Sequence, residues 1–257
     1  MGGAVIVFSE LQALSLSILQ GWLSRLPVQD RLRAQAMKNE RRFRQFVVGR
    51  TLLQRGLTEF LGLSLVLTLT ERGKPEHELA AVSLSHSGNW VAVVLALKSA
   101  TIDSAVKGVR CGTTITTEFT QLGIDVEVYK SRNYMRLARH YFSVREVEKL
   151  ECLNGVERQR YFNQLWVLKE SLAKYLGSGL NSDLLASEFV AVGADDAGIK
   201  VAEICCQYIE LDQCALALTA NITGPFESFK AVAHGDECVL NSCDFSFESW
   251  RPKLSPV

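Results

Sequence analysis

The chain has 257 residues, with 28 Lys and Arg set against 28 Asp and Glu. A net charge of zero supplies no global field toward nucleic acid or an anionic membrane, which weighs against a sequence-nonspecific nuclease, so any phosphate must be met by a local cluster. At this length one hydrophobic core gives way to two, and we expect two lobes. The seven cysteines (111, 152, 205, 206, 214, 238 and 243) include no C-x-x-C and no metal-ligand spacing with the four histidines. We therefore expect neither zinc nor a disulfide framework, but reduced and mostly packed thiols. The opening "MGGAVIVFSELQALSLSILQGW" has no basic n-region and no cleavage site, and Glu10, Gln12 and Gln20 interrupt any spanning run. A cytoplasmic protein with no membrane association is expected.

In chain order, Ala4 to Phe8 reads as a strand, and Ser9 with Gln12 as a capping box opening a helix along Leu11, Leu14, Ile18, Leu19, Trp22 and Leu23. A long helix is predicted over 29–61, basic in its first half (Arg31, Arg33, Lys38, Arg41, Arg42, Arg44) and ended by Gly62. Its basic run reads as a solvated face. "AAVSLSHSGNWVAVVLAL" reads as two strands joined by a Ser-Gly-Asn turn. Residues 99–121, rich in Thr and Ser, read as an inserted loop or hairpin between the halves. The second half opens with the strand "GIDVEVYK", and helices follow over 132–152 and 155–177. Strands are then predicted at Phe189–Val192, Ile199–Val201, Cys206–Leu211 and Ala215–Ala220, before a loosely held tail, "SFESWRPKLSPV". This succession describes an α+β fold whose second half imitates the first.

Two stretches carry acidic groups in unusual places. Along a strand Asp125 and Glu127 share one face about 7 Å apart, with Ile124, Val126 and Val128 on the other. At an effective dielectric of 20 the two charges repel by roughly 2 kcal/mol, which a solvated edge absorbs and a cleft does not without a cation. In "FNQLWVLKESLAKYLGSGL" helical spacing aligns Trp166, Glu170 and Lys174, with Lys169 and Leu165 beside them. Glu170 with Lys174 reads either as a surface ion pair worth about 0.3–0.5 kcal/mol or as part of a site.

In order, "RGKPEHELAAVSLSHSG", "GIDVE" and "WVLKESLAK" resemble the three signatures of the phosphopantetheinyl transferases, in particular the larger, two-lobed type associated with siderophore and peptide antibiotic synthetases. The resemblance runs from about Arg41 to Leu180, and "RHYFSVREVEKL" is similar to the family's Phe-Ser-x-x-Glu element. It implies two similar lobes related by a pseudo-two-fold axis, with the active site in the cleft between them. The N-terminal lobe would be residues 1–121, including the insertion 99–121, and the C-terminal lobe, carrying the metal site, residues 122–257. Such an enzyme moves 4′-phosphopantetheine from coenzyme A to a serine of an apo acyl or peptidyl carrier protein and releases adenosine 3′,5′-bisphosphate. Carrier proteins of this kind serve fatty acid, polyketide or nonribosomal peptide synthesis.

By the same resemblance Asp125, Glu127 and Glu170 would hold Mg²⁺, Glu170 as ligand, as base toward the serine hydroxyl, or as both. Lys174 would offset charge on the transferred phosphate. His86 with Ser85 would clamp the 3′-phosphate of coenzyme A, and Lys74 and Arg50 would add contacts to the nucleotide. A monomer is expected, docking its carrier beside Val128–Phe142 through exposed Tyr129, Tyr134, Met135 and Arg136. Two competing readings are a metal-dependent nuclease built on Asp125, Glu127 and Lys130, and a module that binds coenzyme A or a carrier without transfer. The spacing of Glu127 and Lys130 is one residue too long for the nuclease pattern, and three carboxylates suit chemistry better than simple retention of an anion.

Overall fold

The computed structural model describes residues 4–70, 74–98, 100–102, 115–117, 121–179, 187–191, 204–221, 226–234, 237–243 and 245–253. The first part comprises β1 (Ala4–Glu10), a 3-10 turn at Leu11–Ala13, α1 (Leu16–Ser24), α2 (Val28–Gln35), α3 (Glu40–Leu61), β2 (Thr68–Leu69), β3 (Pro75–Glu76), β4 (Ala80–Ser87), β5 (Trp90–Leu97), β6 (Ala100–Ile102) and β7 (Ile115–Thr117). There follow β8 (Leu122–Val128), α4 (Tyr134–Tyr141), α5 (Val144–Cys152), α6 (Gly155–Leu176), β9 (Glu188–Ala191), β10 (Cys205–Leu211), β11 (Cys214–Ala220), β12 (Phe226–His234), β13 (Glu237–Cys243) and β14 (Glu248–Lys253). The architecture is mixed α+β. No helix among the described residues is long and apolar enough to cross a membrane.

Two five-stranded sheets dominate, in the orders β13-β12-β1-β5-β4 and β8-β11-β10-β14-β9. Their centres share one plan: strand, long helix, then an antiparallel pair whose second member lies beside the first strand (β1-β5-β4 with α3, β8-β11-β10 with α6). Both long helices end in a left-handed glycine, Gly62 at φ 65° and Gly177 at φ 66°. Alternation along β1 sends Val5 and Val7 toward α3, where Val48 and Leu52 meet them, and Ile6 and Phe8 toward the second sheet. Because both faces are covered, its sequence is a continuous apolar run. The inner layer joins Ile6, Phe8 and Val94 to Ile124, Val126 and Leu216, and α6 closes the far side with Val167, Leu168 and Leu172. Cys205, Cys206, Cys214 and Cys238 are buried in these layers.

Several predicted boundaries move, each for a local reason. Ser9 and Glu10 are still paired with β5, so α1 begins later, with the Ser15 hydroxyl accepting from Ile18 N. The helix predicted over 29–61 is two, because the Asn39 side chain accepts from Arg42 N at 3.0 Å and starts α3 afresh. Likewise the helix over 132–152 divides at Ser143, which forms a capping box with Glu146. The tail is not loose: β14 pairs with both β10 and β9.

The division at residues 121 and 122 does not follow the sheets. β12, for which no strand is predicted, pairs in parallel with β1 from Ala4↔Phe226 to Phe8↔Lys230, and β13 continues that sheet. The second half thus covers the open edge of the first sheet, a pairing that depends on an edge more than two hundred residues away and leaves no local signature. Of the insertion, β6 and β7 pair as a short two-stranded sheet. Residues 103–114 and 118–120, and the strand predicted at Ile199–Val201, lie outside the described residues.

Candidate active site

The site lies on a seam between two sheet edges. β4 and β8 end their respective sheets and lie alongside one another, joined by a row of serine side chains rather than by a backbone ladder. Alternation puts Ser83, Ser85 and Ser87 on one face of β4. Ser83 Oγ accepts from Ile124 N at 3.2 Å and Ser87 Oγ from Val128 N at 3.3 Å, which satisfies edge donors of β8. Ser85 donates to Asp125 Oδ1 and Ser87 to Glu127 Oε2, each at 2.7 Å. On the other side β8 presses against α6 at Gly123. A Cβ there would stand 1.9 Å from the Ser171 carbonyl oxygen and 2.6 Å from Tyr175 N, so only glycine permits the approach.

That approach brings Lys174 to Asp125. The ammonium donates to Asp125 Oδ1 at 2.7 Å and to the Ile124 carbonyl at 3.0 Å. Asp125 is 6% exposed, and burial raises its pKa despite Lys174 and Ser85. Glu127 goes the opposite way. Burial pushes it up, but Ser87, Arg132 and Lys130 together hold it below the usual carboxylate range. Lys130 reaches Oε1 at 3.2 Å, and Arg132 also contacts Oε1. Glu170, one turn before Lys174, has no hydrogen bond or ion pair among the described residues. Burial first, then the charge of Asp125, pushes its carboxyl up to about 7.

The neighbouring Lys169 points into the core. It is 1% exposed, pairs with Glu146 at 2.9 Å, donates to the Ser187 carbonyl at 2.6 Å and lies over the rings of Phe142 and Phe189. The Phe-Ser-x-x-Glu element therefore ties α5 to α6 and fixes the helix that presents Glu170 and Lys174.

His86, on the opposite face of β4, opens on a pocket of about 420 Å³ lined also by Arg33, Arg42, Gln45, Phe46 and Arg50. Arg50 pairs with Asp30 at 3.3 Å and lies over the Phe46 ring. Partial desolvation, then Lys174 and Arg42, lower the pKa of His86. The pocket's cationic lining suits an anion, and its mouth adjoins Pro75, next to Lys74. Lys74 Nζ donates at 2.9 Å to the carbonyl of Lys174, linking the two halves at the C-terminal end of α6.

Of the residues singled out from sequence, Asp125, Glu127, Glu170, Lys174, Lys74 and Ser85 gather along the seam, while His86 and Arg50 share the adjoining pocket. Ser85 and His86 are not brought together: the Ser85 hydroxyl is committed to Asp125. The basic start of the long helix is not only a solvated face, because Arg33 and Arg42 line the pocket. Of the residues expected to be exposed for docking, only Arg136 is; Tyr129, Tyr134 and Met135 are half-buried. Sequence reasoning passed over Ser87 and Arg132 and weighed Lys130 only for the nuclease pattern, whereas all three hold Glu127. The period-two serines of "AVSLSHS", Ser83, Ser85 and Ser87, were the available signal for Ser87.

Among the described residues no three His, Cys, Asp or Glu side chains are gathered to hold a metal ion. The chemistry of the set nevertheless suits Mg²⁺, since Glu170 is unpaired among the described residues and its pKa is raised by burial and then by the other two carboxylates, whose repulsion a divalent cation relieves. Joint ligation requires Lys174 to release Asp125 and the cations at Glu127 to yield an oxygen.

Residues 121–220, from β8 through α6 to β11, match the family model for the 4′-phosphopantetheinyl transferase superfamily. This part of the chain is similar to that superfamily. Relatives include a protein of Synechocystis named as a 4′-phosphopantetheinyl transferase, 28% identical over 141 residues, 52% of this chain and 48% of the relative. The L-aminoadipate-semialdehyde dehydrogenase-phosphopantetheinyl transferase of Saccharomyces cerevisiae is 38% identical over 80 residues, 30% of this chain and 29% of the relative. A Haemophilus influenzae protein named in the same way as the first is 29% identical over 117 residues, 43% of this chain and 40% of the relative. Each alignment spans less than half of the relative's length. The superfamily match covers Asp125, Glu127, Glu170 and Lys174 but not Ser85, His86, Lys74 or Arg50.

Proposed function

We propose that this chain is a holo-[acyl-carrier-protein] synthase type transferase of the larger, two-lobed kind, moving 4′-phosphopantetheine from coenzyme A to a serine of an apo acyl or peptidyl carrier protein. The observation that carries the reading is the meeting of β8 and α6, both inside the segment that matches the superfamily model, with β4 at one seam, and a cationic pocket next to it. In this reading the two lobes are related by a pseudo-two-fold axis, and coenzyme A lies in the cleft between them, with the C-terminal lobe at residues 122–257 lending β12 and β13 to the other. The protein acts as a cytoplasmic monomer.

The residues have the following parts. His86, Arg42 and Arg50 bind the 3′-phosphate end of coenzyme A, with Lys74 beside the pyrophosphate. Asp125, Glu127 and Glu170 would hold Mg²⁺, which when bound neutralises pyrophosphate charge and fixes the reacting phosphate in line. The Glu170 carboxylate accepts the proton of the carrier serine, for which a pKa near 7 is well matched to neutral pH. The serine oxygen forms its bond to the phosphorus bearing pantetheine, the bridging P–O bond breaks, and adenosine 3′,5′-bisphosphate leaves with the electron pair. Lys174 moves from Asp125 to the transferred phosphate and offsets its charge there.

The test is transfer of a thiol-labelled coenzyme A to a panel of apo carrier proteins from fatty acid, polyketide and peptide synthesis, each beside its Ser→Ala form. Label on the serine form of at least one carrier is the expected result. Retained coenzyme A binding with no labelled carrier would instead point to a binding module, and Mg²⁺-dependent cleavage of DNA to a nuclease.

A further inference from the structure

Both oxygens of Glu127 are already engaged. Oε2 accepts from Ser87 at 2.7 Å, while Oε1 is met by Lys130 at 3.2 Å and by the Arg132 guanidinium. The two cations differ in how firmly they are held. The Lys130 side chain is 47% exposed, whereas that of Arg132 is 19% exposed and lies over the Phe162 ring, its Cζ 5.9 Å from the ring centre. Phe162 is fully buried on α6 and stacks on Trp166, one turn before Glu170. Arg132 is thus fixed from two sides, by the carboxylate on β8 and by an aromatic ring on the helix that carries Glu170. The loop that bears it is pinned as well: the Tyr134 hydroxyl donates to the Lys130 carbonyl, and the Asn133 side chain caps α4 by accepting from Arg136 N at 3.0 Å.

Along the seam the carboxylates of Asp125, Glu127 and Glu170 stand against the cations of Lys174, Lys130 and Arg132, so the formal charges cancel before a metal enters. A divalent cation that takes Oε1 of Glu127 strips Lys130 and Arg132 of their counter-charge. Lys130 recovers hydration, but Arg132 is mostly withdrawn from water and recovers little. Lys174 stands in the same relation to Asp125. A phosphate ligand arriving with the metal supplies the missing negative charge, whereas the metal alone does not.

We propose that Arg132, assisted by Lys130, is a latch on Glu127 that keeps the metal affinity of the free protein low, so that a divalent cation is held firmly only together with a pyrophosphate-bearing ligand. The inference rests on the reading of Asp125, Glu127 and Glu170 as metal ligands.

Mn²⁺ is the probe, its free form counted by electron paramagnetic resonance in titrations of the full chain without nucleotide. Arg132→Gln should bind Mn²⁺ about tenfold more tightly than the parent, the size of one charge-assisted hydrogen bond. Lys130→Gln should shift the affinity the same way by less, and its exposure makes it a substitution that the fold tolerates. Arg136→Gln, exposed on α4 and not paired with Glu127, should leave the affinity unchanged. Saturating coenzyme A should tighten Mn²⁺ more in the parent than in Arg132→Gln. Unchanged affinity in both Arg132→Gln and Lys130→Gln, or equal tightening in Arg136→Gln, would overturn the latch and leave the ligand reading standing. Mn²⁺ binding that ignores both Asp125→Asn and Glu170→Gln, or no saturable binding with or without coenzyme A, would overturn the ligand reading itself and the latch with it.

Discussion

Breaking the Asp125–Lys174 pair from either side should give unequal results. At 2.7 Å and an effective dielectric of 20 the attraction is about 6 kcal/mol before desolvation. Lys174 keeps 28% of its side-chain surface in contact with solvent, which screens the pair and brings the expected coupling in a double-mutant cycle down to about 2 kcal/mol. Asp125→Asn leaves Lys174 with the Ile124 carbonyl and water, and it removes a carboxylate whose burial raises its pKa even with Lys174 present. Its net cost should therefore be about 1 kcal/mol or less. Lys174→Met leaves Asp125 buried without its cation, at a cost of about 3 kcal/mol. Urea unfolding of the parent, both single variants and the double variant, without Mg²⁺, gives the cycle. Equal single costs, or a coupling under about 0.5 kcal/mol, would refute the burial argument and leave the pair a surface contact.

Three other outcomes follow from the same geometry. Glu170 retains its proton in the folded state up to about 7, whereas the unfolded chain releases it near 4.5, so stability without Mg²⁺ should fall as pH rises through that window. Its partial exposure limits the effect to about 1–2 kcal/mol, and Glu170→Gln should flatten the thermal-melt profile over that range; an unchanged slope would place the carboxyl in water. His86→Ala should raise the KM for coenzyme A about tenfold or more with kcat little changed, since a contact to a remote phosphate is present throughout the reaction. Because the pKa of free His86 is lowered, coenzyme A binding should also take up protons, seen by calorimetry in buffers of different ionisation enthalpy, and the uptake should vanish in the variant. Gly123→Ala should destabilise by 3 kcal/mol or more in denaturant titration, because its Cβ meets backbone atoms of α6 rather than a side chain that could turn aside.

The sequence makes the acidic strand legible because its period is two: Ile124 and Val126 join the core while Asp125 and Glu127 face the serines of β4, as the alternation predicts. What surrounds those carboxylates is not local. Mutual repulsion is the effect visible along the strand, yet burial and Lys174, from a helix nearly fifty residues on, outweigh Glu127 in setting the state of Asp125. Arg132 escaped notice, and Lys130 entered only the nuclease pattern, for the reverse reason, since a charged side chain after a strand usually faces solvent. The helical segments were found by periodicity, but Asn39 and Ser143 divide two of them, because a side chain that caps a helix competes locally with continuing it. The β12–β13 hairpin was missed because its place depends on the free edge of β1, at the other end of the chain.

Intact-protein mass measurement of an apo carrier protein, incubated with this chain, coenzyme A and Mg²⁺, tests the central claim most directly when adenosine 3′,5′-bisphosphate is quantified in the same sample. The account expects the carrier to gain one phosphopantetheinyl group, with one nucleotide released per group added and both lost in Glu170→Gln. Full transfer by the Glu170→Gln protein, or nucleotide release with no gain in carrier mass, would contradict it.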